Sequence, residues 1–135
     1  VGNLTPYIQS EDARAHAAFY VEALGGEILS VMTHEQLMGA QHKFKDKVMH
    51  LSMVVAGGNS IFMSDRMEAL DYGTAITLSM SYPTEAEASE VFVKLSAGGN
   101  VRYPIAMQPF GIYYGELVDR FGVTWSITAE QQTGK

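Results

Sequence analysis

The chain is predicted to adopt an α+β fold of two paired β-α-β-β-β modules, on the strength of two internal echoes and a repeated strand parity. Phe19-Tyr20-Val21-Glu22-Ala23-Leu24-Gly25-Gly26-Glu27-Ile28 is echoed by Phe92-Val93-Lys94-Leu95-Ser96-Ala97-Gly98-Gly99-Asn100-Val101. Each copy reads as the end of an amphipathic helix, a Gly-Gly stop and the start of a strand. A second echo links Ser60-Ile61-Phe62-Met63 to Thr124-Trp125-Ser126-Ile127. Two similar halves are expected to face each other, and a cleft between such halves is a natural ligand site.

In the first half, Leu4 to Gln9 reads as a strand with Leu4, Pro6 and Ile8 on one face. Pro6 suits an edge position. Ser10-Glu11-Asp12 supplies capping chemistry for a helix over Ala13 to Leu24, whose apolar positions include Ala15, Ala18, Phe19 and Val21. Gly25 fits a left-handed stop. Glu27 to Met32 is the next strand. Thr33 to Asp46 is polar, lacks periodicity and reads as a long loop. Lys47 to Val55 alternates, with Met49, Leu51, Met53 and Val55 opposite Val48, His50, Ser52 and Val54. Gly57-Gly58-Asn59 turns the chain into a strand over Ser60 to Ser64.

The second half repeats the plan. Thr74 to Ser81 is a strand with Ile76, Leu78 and Met80 on one face and Ala75, Thr77, Ser79 and Ser81 on the other. Pro83 opens a helix, Glu85 and Glu87 suit its first turn, and Gly98-Gly99 closes it. Asn100 to Ile105 is a strand, followed by a loop. Ile112 to Val118 and Val123 to Thr128 form a hairpin turned by Asp119-Arg120-Phe121-Gly122. Residues 130–135 read as a frayed tail.

The composition is that of an ordinary soluble domain, and 135 residues suffice for one core. No apolar run approaches the roughly 20 residues of a membrane span. Val1 opens no signal-peptide pattern, and cysteine is absent. Both are compatible with a cytoplasmic protein. The missing thiols exclude disulfides and cysteine-ligated metals. A net charge of −6 argues against nucleic acid as a partner. Lys43, Lys45 and Lys47 are interrupted by Asp46 and read as a solvated loop.

Strand parity divides the side chains into two sets. Leu4, Ile8, Met49, Leu51, Ile61, Met63, Ile76, Leu78, Trp125 and Ile127 are expected beneath the helices, where each large apolar group contributes about 1.5–3 kcal/mol. The opposite face holds Thr5, Tyr7, His50, Ser52, Phe62, Thr77, Ser79, Tyr114, Glu116, Thr124 and Ser126. The offset that links Phe62 to Ser126 also links His50 to Tyr114 and Ser52 to Glu116. Equivalent positions thus share the more polar face, whose mixture of aromatics with His and Glu reads as a pocket lining.

Four segments carry a resemblance: Leu4-Thr5-Pro6-Tyr7-Ile8; Ala18-Phe19-Tyr20 through Leu24-Gly25-Gly26; Met49-His50 leading to Met63-Ser64-Asp65; and Asp119-Arg120-Phe121-Gly122-Val123-Thr124-Trp125. In this order they resemble the PhnB-like proteins of the glyoxalase/bleomycin-resistance/extradiol-dioxygenase (vicinal oxygen chelate) superfamily. The resemblance implies a single glyoxalase-like domain over 1–135, with modules at about 3–65 and 73–129. It also implies a cupped mixed sheet with helices on its outer face, and a homodimer.

Metal-using members place one ligand on each of four strands. The resemblance puts those positions at Thr5, Phe62, Ala75 and Ser126. None is a His or carboxylate, a phenyl and a methyl donate nothing, and neutral hydroxyls are poor primary ligands. No metal centre of the usual kind, and no other cofactor, is therefore expected. Without such a centre the superfamily's Lewis-acid chemistry lacks its mechanism.

His50 and Glu116 are the titratable groups expected on the polar face. His50 is either a base oriented by Glu116, a ligand of a relocated divalent metal, or a satisfied pocket histidine. His16, His34 and His42 are expected at the surface, and a His34, Glu35, His42 metal cluster is a further possibility. Tyr7, Phe62 and Tyr114, with Tyr113 and Phe110 as candidates, suit a flat ligand. Trp125 and Met49, Met53, Met63 and Met80 read as core. PhnB-like sequences sometimes carry methyltransferase labels, but both helices begin without the Gly-rich turn of a nucleotide-type cofactor site. The sequence thus points to binding of a small organic ligand by Tyr7, His50, Phe62, Thr77, Tyr114, Glu116 and Ser126. The alternative is a lyase or isomerase that uses His50 and Glu116 directly or around a relocated divalent metal.

Overall fold

A computed structural model describes residues 1–39 and 44–130, the side chains of Leu37 and Met38 excepted. The chain forms two compact units, Val1–Asp71 and Tyr72–Lys135. The first contains β1 (Tyr7–Ser10), α1 (Ala13–Leu24), β2 (Gly26–Thr33), α2 (His34–Met38), β3 (Val48–Val55) and β4 (Asn59–Asp65). The second contains β5 (Leu78–Tyr82), α3 (Glu85–Ser96), β6 (Asn100–Met107), β7 (Tyr113–Val118) and β8 (Thr124–Ala129). Each unit has one four-stranded mixed sheet, ordered β1-β4-β3-β2 in the first and β5-β8-β7-β6 in the second. The outer pair β1/β4 or β5/β8 is parallel, and the other pairs are antiparallel. This is the α+β plan that the echoes predict.

The paired glycines have a shared physical cause. Gly25 and Gly98 take φ of 78° and 79°, the left-handed conformation that ends a helix without a Cβ clash. A Cβ at Gly26 would strike the Val54 carbonyl, and one at Gly99 the Val118 carbonyl. The second glycine therefore lets β2 or β6 start flush against its neighbouring strand.

Both long helices are capped by side chains. Asp12 accepts from the Ala15 N–H and Thr84 from the Glu87 N–H. Pro83 consequently precedes the cap instead of opening the helix. Ala13, His16, Ala17, Tyr20, Ala23 and Leu24 form the buried stripe of α1, joined by Phe19. Ala15 and Ala18 are exposed, contrary to the reading that grouped them with the apolar face. Beneath the helices lie Leu51, Met53, Val55, Ile61 and Met63 in the first unit, and Leu117, Trp125 and Ile127 with Leu95 in the second.

Several expectations are corrected. Leu4 precedes β1 and is fully exposed, and Ile76 precedes β5 and is 79% exposed. Alternation alone extended both first strands beyond their pairing partners: β1 pairs with β4 only from Tyr7, and β5 with β8 only from Leu78. The long loop contains α2, whose Thr33 and Gln36 form a reciprocal capping box. The Thr-x-x-Gln spacing was the signal for it. Val48, grouped by alternation with His50, is fully buried. His50 pairs with Met32 and Val48 with Thr33, so a bulge at Met49 reverses the parity.

His16 is fully buried, with Nδ1 2.8 Å from the Oγ of Ser10 and its ring edge-on to Tyr20. His34 is also buried, beside Phe44. Neither is the surface residue that the sequence suggested. His42, Lys43 and the tail from 131 onward fall outside the described residues. No helix among the described residues is long and apolar enough to cross a membrane.

Asp65, at the end of β4, accepts from the Ala13 N–H and from the Val48 N–H, each at 2.7 Å. It ties the first turn of α1 to the start of β3. Asp65→Ala strands both donors and is expected to cost about 3 kcal/mol of unfolding free energy in urea titration. A loss below about 0.5 kcal/mol, the scale of an ordinary surface change, would contradict this role.

Candidate functional site

Strand pairing places one row of side chains straight across each sheet. In the first unit the row is Ser30, Ser52, Phe62 and Tyr7, taken from β2, β3, β4 and β1. In the second it is Tyr103, Glu116, Ser126 and Ser79, from β6, β7, β8 and β5. The rows occupy equivalent places in the two sheets but carry different chemistry.

The first row is aromatic. Tyr7 and Phe62 meet edge to face at 6.2 Å between ring centroids. His50, two residues from Ser52 on the same face, stands 4.9 Å from Phe62 and 5.8 Å from Tyr7. Edge-to-face geometry is the favourable arrangement for such rings. Tyr7 is exposed, and His50 and Phe62 are half-buried. The cluster offers apolar ring surface, a phenol, and an imidazole with one donor and one acceptor nitrogen in its neutral form.

The second row is polar. Glu116 is 14% exposed, and both its oxygens are engaged. The Tyr114 hydroxyl donates to Oε1 at 2.9 Å, and Nη1 of Arg102 lies 3.0 Å from Oε2. Burial first, and then the hydrogen bond to Glu116, push the Tyr114 phenol above its ordinary pKa. The Ser126 hydroxyl donates to Ser79 Oγ at 2.9 Å.

The expected site residues are distributed over both units. Tyr7, His50 and Phe62 come together in the first unit, and Tyr114 and Glu116 in the second, where Ser126 faces Glu116 across the β7/β8 ladder. Thr77 lies just before β5 and is exposed. Tyr113 instead turns toward α3, where its hydroxyl meets Ser89 Oγ, and Phe110 is exposed.

Arg102 and Tyr103 were missed because simple alternation fails in β6. Val101 pairs with Leu117 and Tyr103 with Glu116, so Arg102 is the extra residue of a bulge. The only hint in the sequence is Pro104, which cannot donate to a regular ladder.

The four positions that the resemblance assigns to metal ligands carry residues that do not fit a divalent ion. Phe62 is committed to the aromatic cluster, Ala75 has only a methyl group, Thr5 offers a neutral hydroxyl, and Ser126 bonds to Ser79. Among the described residues no three His, Asp or Glu side chains gather as a metal site. The His34, Glu35, His42 possibility includes a residue outside them.

The family model described as 3-demethylubiquinone-9 3-methyltransferase matches residues 4–128. The chain is similar to the crystal structure of protein PA1353 from Pseudomonas aeruginosa: 29% identity, TM-score 0.82, covering 98% of this chain and 100% of that one. It is also similar to a putative 3-demethylubiquinone-9 3-methyltransferase, PhnB protein, from Bacillus cereus, at 24% identity and TM-score 0.78, covering 96% and 100%. FosX, the fosfomycin resistance protein from Listeria monocytogenes, solved with Mn(II) and sulfate, shares the fold at 12% identity and TM-score 0.65, covering 98% and 95%. No curated protein matches the sequence. The extent of the family match leads to one assignment: the chain belongs to the 3-demethylubiquinone-9 3-methyltransferase family.

Proposed function

We propose that this PhnB-like chain binds a small organic molecule without a resident metal ion. Tyr7, His50, Phe62, Thr77, Tyr114, Glu116 and Ser126 supply its contacts. The observation that carries the reading is the ring cluster of Tyr7, His50 and Phe62 on a partly open sheet face. Three rings at such spacing present edges and faces to a flat ligand, and hydroxyls on the same face add orientation.

A lyase or isomerase built on His50 and Glu116 needs a carboxylate at liberty to orient the base or take a proton. The Glu116 oxygens are held by Tyr114 and Arg102, which suits an anchor better than a base. The methyltransferase wording of the family name finds no matching cofactor turn. Asp12 and Thr84, not glycine-rich loops, begin the two long helices.

Homodimer formation belongs to the same reading. Its support is the apolar exposure of two edge strands: Ile28, Leu29 and Met32 on β2, and Val101 and Met107 on β6. Exposed apolar edges are surfaces that proteins usually cover.

Isothermal titration with 2-naphthol, a flat neutral probe, is expected to show saturable binding. Replacing Tyr7 and Phe62 together by Ala is expected to weaken it about tenfold or more. Absent binding, or equal affinity in the double variant, would contradict the proposal. Sedimentation equilibrium at micromolar concentration is expected to give twice the chain mass, and a monomer throughout would remove the dimer from the reading.

A further inference from the structure

We infer that Arg102 forms an oxyanion subsite, which makes the ligand a small organic acid held through its carboxylate. This deepens the proposed small-molecule binding and rests on it.

The first observation is an imbalance within the Arg102–Glu116 pair. The Glu116 side chain is enclosed, at 14% exposure, whereas that of Arg102 is 42% exposed. Glu116 already accepts from the Tyr114 hydroxyl, so its second oxygen is left to steer the guanidinium. Guanidinium carries five N–H donors in a rigid fork. Nη1 is the atom 3.0 Å from Glu116 Oε2, and among the described residues no protein acceptor hydrogen-bonds the guanidinium. The remaining donors are those that take a planar carboxylate in a two-point contact.

The second observation is the backbone that presents them. Arg102 is the extra residue of a β-bulge, placed opposite Glu116 together with Tyr103. A bulge costs regular pairing and re-aims a side chain, and such features gather beside functional sites. Here it puts the guanidinium on the polar face, 6.0 Å from the centroid of the Tyr103 ring. Tyr103 lies beside the cation, and Tyr114 reaches the same carboxylate through its hydroxyl, so both rings add surface for the organic part of an acid.

Three features therefore coincide: a tethered cation, unfilled fork donors and adjacent aromatic rings. A neutral ligand would use the rings but leave the donors to water. A cationic ligand would meet Arg102 unfavourably. A carboxylate satisfies both the charge and the fork.

The test compares 2-naphthoate with 2-naphthamide, which share one ring system and differ in charge, by isothermal titration on the full chain. Wild type is expected to prefer the carboxylate by about tenfold, the scale of one charge-assisted contact. Arg102→Gln is expected to abolish that preference, so that 2-naphthoate and 2-naphthamide bind the variant equally. Glu116→Gln keeps an acceptor and removes the competing negative charge, so it is expected to increase the preference. Equal binding of the two probes by wild type, or a preference that survives Arg102→Gln, would overturn the subsite while leaving small-molecule binding intact. Failure of both probes to bind would overturn the subsite together with the reading on which it rests. Far-ultraviolet circular dichroism and melting temperature establish that each variant is folded.

Discussion

The carboxylate of Asp65 is the interaction on which the first sheet's polar face depends. Its two oxygens hold the first turn of α1 and the first residue of β3, while its backbone ends β4. Register in a sheet is all-or-none for side-chain direction, because one residue of slip sends every side chain to the other face. With β3 and β4 fixed, Leu51 and Met63 go to the core, and Ser52 and Phe62 to the opposite face. The bulge at Met49 then lets Val48 turn inward while His50 stays beside Phe62. Asp119 has a comparable role in the second unit. Its Oδ1 accepts from the Phe121 and Val123 N–H groups and closes the turn, and its Oδ2 accepts from the Trp125 indole.

These two aspartates explain why the most recognisable motifs of the chain, Met63-Ser64-Asp65 and Asp119 through Trp125, do not themselves form the candidate site. They are clamps made of hydrogen bonds to buried or half-buried backbone, where an unmet donor is costly. The side chains they position differ between the units. One duplicated backbone plan thus presents rings in one sheet and a hydroxyl–carboxylate–guanidinium chain in the other. Divergence of this kind is expected when pairing geometry is fixed by a few groups and the exposed positions are free to change.

Much of this was legible in the sequence. The Gly-Gly echo reported both helix ends because only glycine fits the close approach of β2 to Val54 and of β6 to Val118. The range of α1 was readable from its cap and stop, and Trp125 from its parity. What failed were features that break a period. Leu4 and Ile76 continue the alternation past the last pairing partner, and nothing local marks that point. Val48 and Arg102 sit at bulges, where one extra residue inverts the pattern. His16 reads as polar, yet its bond to Ser10 and the ring of Tyr20 make its burial tolerable. The aromatic cluster of the first unit was therefore visible in advance, and the cation of the second unit was hidden by the bulge.

The central claim is that ligand recognition here relies on rings, hydroxyls and a tethered ion pair, in a fold whose relatives include a protein solved with Mn(II). Elemental mass spectrometry of tag-free protein tests this most directly, as purified and after incubation with Zn, Ni, Mn and Fe salts followed by removal of excess ion. The account expects metal well below one ion per chain in every sample. One tightly held ion per chain, lost when His50 or Glu116 is changed to Ala, would contradict it and move the chemistry to a relocated metal centre.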